Sequence, residues 1–412
     1  MSNSSASLRR LNFCNFKLDT LLEITLTINQ NLPTEELLKR YEELLTNRLN
    51  IGKLLIFAFN KQWERILESG FGDEGYKDID VDKDLLQFEE ITTVTAAGLE
   101  HLSDFDTIIP VFHNNSPLAY VLIGDIDEER EGVSPTIKHL RFIQTLTNII
   151  IVAMENKRLQ EESLRQEAIK KELELASRMQ AMLIPNSAFL PKTKDIFVQT
   201  FYLPHFDVGG DYYDFFKLND HEYAFCISDV SGKGISAAIL MSNFQANLRA
   251  LFTDTILLKD LVQKLNTRVM ESANGEKFIT LFIAKYNKNT KELTYVNAGH
   301  NPPFVFDKIE NEITYLKDGC PGMGMLDDLP MVRVGKINIK NNTKLLCYTD
   351  GLVELRGELN TDAGMESVAQ YLKTDSRIDQ TLNTLIEELD ITRNNKLFFD
   401  DISMLGIEFL LE

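Results

Sequence analysis

The sequence predicts an α+β protein, and three observations carry that prediction. Over residues 184–412 strand-like apolar runs arrive in series and helical stretches arrive in pairs, with no βαβ alternation. Residues 137–183 hold no Pro and no Gly and form one helical block in the middle of the chain. Before that block stand two helical stretches and a group of strands. The length, 412 residues, suits two domains and a connection.

The chain begins with residues 1–15, expected to be a flexible tail. Residues 16–153 are expected to form an α+β domain. Two helices fall within 17–49, the second opening at Thr34 with acids in its first turn. Strands follow at 53–59, 107–111 and 119–123. The segment HNNSP, residues 113–117, makes the turn between the last two. Helix resumes near Pro135.

A seam of residues spaced alternately three and four apart crosses the central block. It comprises Val152, Glu155, Leu159, Glu162, Gln166, Ile169, Leu173, Ala176, Gln180 and Leu183. That is the coiled-coil period, although four of the ten positions are polar. Residues 154–183 are therefore expected as a linker helix that pairs in a parallel dimer; a lone helix packed on one domain is the competing reading.

In residues 184–412 strands are expected at 196–203, 212–218, 222–230, 278–286, 292–297, 304–306, 312–316, 332–339, 344–348 and 402–411. Helices are expected at 234–253, 257–273, 364–373 and 378–390. Acids recur where these strands meet turns. Asp229 ends the apolar run YAFCIS and precedes the turn Ser231-Gly232-Lys233-Gly234. Asp211 and Asp214 stand in VGGDYYDFF, Asp350 follows LLCYT, and Asp400 and Asp401 precede the last strand. An isolated Asp at a strand end is ordinarily a turn former. A set of them is a set of costly buried charges unless a cation joins them. Hard divalent ions take such oxygen ligands, and two of them activate water and hold a phosphate.

Composition narrows the function classes. The formal net charge of −19 speaks against binding nucleic acid by phosphate neutralisation. Four scattered cysteines with no CxxC pair speak against a disulfide framework or a zinc site, and suit a reducing cytoplasm. The first residues lack a signal-peptide core, and no apolar run reaches membrane-spanning length.

The motifs VGGDYYDFF, ISDVSGKGISAA, NAGHNPP, YTDGLVE and FFDDIS, in this order, resemble the SpoIIE/RsbU-type serine phosphatases, the bacterial branch of the metal-dependent type 2C protein phosphatases. The resemblance covers 184–412, and SRMQAMLIP at 177–185 is similar to the family's entry segment. It implies an α-β-β-α sandwich, two Mn²⁺ or Mg²⁺ ions at one edge, and hydrolysis of phosphoserine or phosphothreonine by metal-activated water. Asp229 would bridge both ions and Val230 would offer its carbonyl. Asp350 would hold the first ion, and Asp400 rather than Asp401 would be the ligand of the last motif. For the second ion Asp211 is preferred to Asp214, since residues three apart on a regular strand face opposite ways. The Arg that precedes the first acid in eukaryotic-type members is missing from HFDVGG. Phosphate binding would then rest on the metals and on backbone N–H groups around Gly232 and Gly234, with Lys233 assisting or merely solvated. His300 is a candidate general acid or a structural histidine, and Ser231 is not expected to be a nucleophile.

The resemblance also implies a phosphorylated protein substrate, a STAS-type anti-sigma-factor antagonist. The strand-turn-strand IIPVFHNNSPLAYVLIGD resembles a GAF-type sensor domain, which implies a small-molecule or protein signal at residues 16–153 and a homodimer. The alternative is a non-catalytic pseudophosphatase, a ligand-sensing or scaffold protein.

Overall fold

The computed structural model describes all residues except 1, 31, 73–75, 77–78, 114–115, 127–138, 355–360, 393–399 and 412. The chain divides into two compact units, Met1–Glu167 and Ala168–Glu412.

The first unit opens with α1 (Ser2–Asn29) and α2 (Thr34–Glu43), whose last turn continues as a π-helical turn over Leu44–Arg48. Next come β1 (Ile51–Asn60), β2 (Gln62–Ser69), α3 (Val81–Asp84), β3 (Thr92–Thr93), α4 (Val94–Ala97), β4 (Thr107–His113) and β5 (Ser116–Ile126). The strands make one antiparallel sheet in the order β2-β1-β5-β4-β3. Alternate residues of β1 serve opposite faces, as the two-residue period of a strand requires. Leu54 and Ile56 pack with Ile24 of α1, Tyr41 of α2 and Ile143, Leu146 and Ile150 of a long helix, α5 (Leu140–Ala181). Leu55 and Phe57 face the other way, onto Val81, Leu102 and Phe105.

The first unit departs from the expectations at two points. Residues 2–15, expected as a flexible tail, are helical: nothing from Ser2 to Asn29 is a Gly or Pro, so the helix of 16–29 has no breaker on its N-terminal side. The strand β2 was not foreseen, because QWERILES is an edge strand held by its ladder to β1 and shows little apolar alternation. The helix that includes the expected linker, α5, starts at Leu140, and its first three turns carry core residues of the first unit. The turn residues 114–115 and the expected resumption of helix at Pro135 lie outside the described residues. Within α5, residues 158–172 are exposed on every side of the helix.

The second unit is an α-β-β-α sandwich. It contains β6 (Ile196–Leu203), β7 (Tyr212–Lys217), β8 (Glu222–Val230), α6 (Ile235–Leu251), α7 (Leu258–Ala273), β9 (Ile279–Asn287), β10 (Glu292–Ala298), β11 (Phe304–Asp307), β12 (Glu312–Tyr315), β13 (Gly319–Cys320), β14 (Gly335–Asn338), β15 (Thr343–Tyr348), α8 (Asp350–Glu354), α9 (Thr361–Leu372), α10 (Ile378–Glu388) and β16 (Ile402–Phe409). One sheet runs β13-β10-β9-β8-β7, with β14 beside β10; the other runs β12-β11-β15-β16-β6. Leu345, Cys347, Leu405 and Ile407 of the second sheet share a core with Phe225, Ile227 and Ile283 of the first, a core that extends to Met241 and Phe244 of α6 and Leu265 of α7. The intervening residues Leu346, Tyr348 and Met404 turn outward onto Leu372 of α9 and Leu382 of α10. The strand expected at 332–339 is shorter, since Gly335 begins it by letting the backbone press against the ring of Tyr295; a Cβ there would lie 2.2 Å from that ring.

Candidate metal centre

The two sheets bring strand ends of both layers to one edge. β15 and β16 are antiparallel, with Tyr348 opposite Met404, and β16 and β6 are antiparallel, with Ile402 opposite Leu203. The end of β15, the start of β16 and the end of β6 therefore coincide. In the other sheet Tyr212 opposite Ser228 sets the start of β7 beside the end of β8. Asp229 lies at the end of β8, Asp350 opens α8 immediately after β15, Asp400 and Asp401 precede β16, and Asp211 precedes β7.

These carboxylates act on one another. Burial, reinforced by the charges of Asp350, Asp400 and Asp401, pushes Asp229 up to about 8. Burial and the charge of Asp400 raise Asp350 to about 6. Asp211 is pushed well above the usual carboxylate range by burial, then by Asp229 and Asp401. Like charges held together in a low-dielectric edge are unstable without a counter-charge.

Two glycines allow the approach. A Cβ on Gly210 would stand 3.0 Å from the Val230 carbonyl oxygen and 3.4 Å from Asp229 Oδ1. A Cβ on Gly209 would stand 2.3 Å from Asp401 Oδ2. Asp211 is then fixed from the far sheet: Thr349 Oγ1 donates to Asp211 Oδ2 at 2.8 Å and accepts from the Ser403 N–H at 2.8 Å. Asp211 Oδ1 is buried and has no hydrogen-bond partner among the described residues.

The sequence candidates differ in how their side chains are engaged. Asp214 is fully buried elsewhere, against Arg249 of α6, whose Nε and Nη2 lie 2.5 and 2.6 Å from its two oxygens. The Tyr212 hydroxyl also donates to it. Asp401 is spent on the backbone, accepting from the His205 N–H at 2.8 Å and the Gly210 N–H at 2.7 Å. Asp400 is the more open of that pair, and Lys233 Nζ stands 2.9 Å from its Oδ2. His300 is buried, with Nδ1 2.9 Å from Thr280 Oγ1 and its backbone N–H donated to Asn297 Oδ1 at 2.8 Å. Burial lowers its imidazole to about 4, so it is neutral at physiological pH.

The turn after Asp229 is anchored on both sides. The Ser231 N–H donates to the Phe278 carbonyl at 2.9 Å, and Ser231 Oγ accepts from the Phe278 N–H at 2.9 Å. Gly232 and Gly234 adopt φ of +81° and +79°, which residues with a Cβ adopt at a cost. Gly234 is the N-cap of α6, and among the described residues no side chain caps that helix. The uncapped N–H groups and the helix dipole make the turn hospitable to an anion.

Among the described residues, no three acid, His or Cys side chains enclose an ion by themselves. Mg²⁺ and Mn²⁺ rarely need that, since they keep several waters and take one or two carboxylates each. The oxygens of Asp211, Asp229, Asp350 and Asp400 and the Val230 carbonyl fit such ions, and the partnerless Asp211 Oδ1 is the observation that fits them best. Sequence reasoning passed over Thr349 and Arg249. Thr349 had a signal, standing directly before Asp350 in YTDG, whereas Arg249 had none.

Residues 219–410 match the family model described as Stage II sporulation protein E (SpoIIE). The chain is 28% identical over 193 residues to the phosphoserine phosphatase RsbU of Bacillus subtilis, which is 47% of this chain and 56% of that protein. It is 27% identical over 190 residues to the phosphoserine phosphatase RsbP of the same organism, 45% of this chain and 46% of that one. The chain thus spans about half the length of the curated relatives it matches. Among solved structures it is similar to the SiaA-PP2C domain of Pseudomonas aeruginosa, with a TM-score of 0.49 and 18% identity over 60% of this chain and 99% of that domain.

Proposed function

We propose that this chain, whose residues 219–410 carry a SpoIIE-type domain homologous to RsbU and RsbP, is a metal-dependent protein serine/threonine phosphatase of a bacterial signalling system. The observation that carries the reading is the convergence of Asp211, Asp229, Asp350 and Asp400, from strand ends of both sheets, into one mutually repelling group. Two Mn²⁺ or Mg²⁺ ions, when bound there, would make hydroxide available near neutral pH to attack phosphorus and would offset the charge of the phosphate.

The chain's own residues account for the rest of the site. Asp229, on which the charges of Asp350, Asp400 and Asp401 act, would hold such ions together with the Val230 carbonyl. Asp350, Asp400 and Asp211 would complete the ligand set, the Asp211 carboxylate being oriented by Thr349. The turn Ser231–Gly234 presents N–H groups and the N-terminus of α6 to the substrate phosphate. Lys233, which lies against Asp400, adds a positive charge to that turn in place of the missing Arg. His300 holds the 297–300 turn to β9 and takes no part in proton transfer, since its ring is buried and bonded to Thr280.

The substrate we propose is a phosphorylated STAS-type anti-sigma-factor antagonist, in keeping with the naming of the relatives as phosphoserine phosphatases. Residues 16–153 serve as a GAF-like sensor and α5 transmits its state. The exposed segment of α5, with Leu159, Leu164 and Ile169 about half exposed, supports pairing of two chains along that helix.

The purified protein with Mn²⁺ hydrolyses p-nitrophenyl phosphate if this reading holds, and Asp229→Asn abolishes the activity. Equal activity in that variant rules out the metal assignment. A wild-type protein that binds Mn²⁺ but turns over nothing is a pseudophosphatase.

A further inference from the structure

We propose that Gln180 is a positioning residue for the acid group, tying the register of α5 to the geometry of Asp211 and Asp229. This rests on the reading of that group as a metal centre. Gln180 is the penultimate residue of α5 and is only 7% exposed. Its carboxamide meets one residue of the opposite loop twice. Nε2 donates to the Gly209 carbonyl at 2.7 Å, and Oε1 accepts from the Gly209 N–H at 3.1 Å. A side chain that satisfies both backbone groups of a single residue fixes that residue in position and in rotation.

Gly209 is where such a grip has consequences. The next N–H, of Gly210, donates to Asp401 Oδ2 at 2.7 Å, so the loop is held between Gln180 on one side and Asp401 on the other. Gly210 in turn lies against Asp229 Oδ1 and the Val230 carbonyl, closely enough that a Cβ would stand 3.4 and 3.0 Å from them. Asp211 follows directly. A displacement of Gly209 therefore changes the separation of Asp211 from Asp229, the spacing that two bridged ions would require.

The device follows from helix geometry. One residue of α-helix turns the side chain by about 100° and advances it by about 1.5 Å. A slip or rotation of α5 of that size removes the carboxamide from Gly209 and leaves a buried N–H and C=O unpaired, a costly state that the loop relieves by moving. The helix that ends in this grip begins at Leu140, among core residues of the first unit.

Second-sphere hydrogen bonds that hold metal ligands are generally worth on the order of 10- to 100-fold in metal affinity. The test is calorimetric titration of Mn²⁺ into the full-length wild type and Gln180→Met, a volume-conserving change that cannot make either bond, with the melting temperature of each metal-free protein recorded alongside. Mn²⁺ binding at least tenfold weaker in the variant, with a metal-free melting temperature within a few degrees and turnover at saturating Mn²⁺ restored to within about threefold, supports the proposal. A role in general stability lowers the melting temperature and leaves the affinity of the folded protein unchanged; equal affinity overturns the inference and leaves the metal centre standing. No Mn²⁺ binding by the wild type overturns both. If Gln180→Met does not fold, Gln180→Glu carries the same comparison, because it keeps an acceptor for the Gly209 N–H and loses the donor to its carbonyl.

Discussion

Arg249 grips both oxygens of Asp214, with Nε and Nη2 at 2.5 and 2.6 Å, while its Cζ lies over the Phe216 ring, 4.3 Å from the ring centroid. The pair links β7 to α6 away from the acid group, and it separates two carboxylates only three positions apart in the chain. Among the described residues Asp211 has an oxygen without a partner, whereas both oxygens of Asp214 are engaged. Asp214→Ala should therefore destabilise the fold, by roughly 3 kcal/mol, the lower part of the range for breaking a buried pair because Arg249 is partly exposed and can turn to water. Urea denaturation measures this. Mn²⁺ affinity should stay within twofold of the wild type; its loss would return Asp214 to the ligand set.

Thr349 is expected to matter to metal binding in proportion to what it holds. Thr349→Val keeps the shape and removes the hydrogen bond to Asp211 and the acceptor for the Ser403 N–H. The expected loss is on the order of tenfold in Mn²⁺ affinity. Calorimetry on Thr349→Val and Thr349→Ser decides the point, since the serine should recover most of it.

His300 gives the stability a defined pH dependence. Its folded value of about 4 lies below the ordinary 6.5, so between those limits the unfolded chain takes up a proton that the folded chain refuses. Its contribution is fully present above about pH 6.5 and is lost as pH falls towards 4, to a limit of roughly 3 kcal/mol. Other acids titrate in the same range, so the measurement is the difference between wild type and His300→Asn in unfolding free energy at several pH values. A difference that is flat between pH 7 and 4.5 contradicts the assignment.

Pairing of two chains along α5 predicts a specific disruption. Leu159→Asp together with Ile169→Asp places charge on the exposed stripe without touching either core. Sedimentation equilibrium should show the wild type as a dimer and the double variant as a monomer. A wild type that is monomeric at micromolar concentration removes the stalk.

The legibility of this chain in its sequence depended on where the physical signal was stored. Runs such as YAFCISD and LLCYTD are mostly apolar and end in an acid, so strand, boundary and functional group share one signature, and β8 runs from Glu222 to Val230 as read. β2 carries its stability in a backbone ladder and so was silent. The helix from Ser2 has no breaker to mark a start, and a polar first turn was mistaken for a tail. Parity between Asp211 and Asp214 presumed one regular strand, whereas Asp211 stands just before β7. Gln180 was not legible as a site residue: it is uncharged, and it acts on a partner 29 positions away.

The measurement that bears most directly on the central claim is release of inorganic phosphate from a phosphoserine protein substrate, with Mn²⁺ and after its removal by chelation. It should be run on wild type, Asp229→Asn and Asp214→Asn. The account predicts release by the wild type only with metal, none above background from Asp229→Asn, and release within a few-fold of wild type from folded Asp214→Asn. Metal-independent release, or equal rates from wild type and Asp229→Asn, would contradict it.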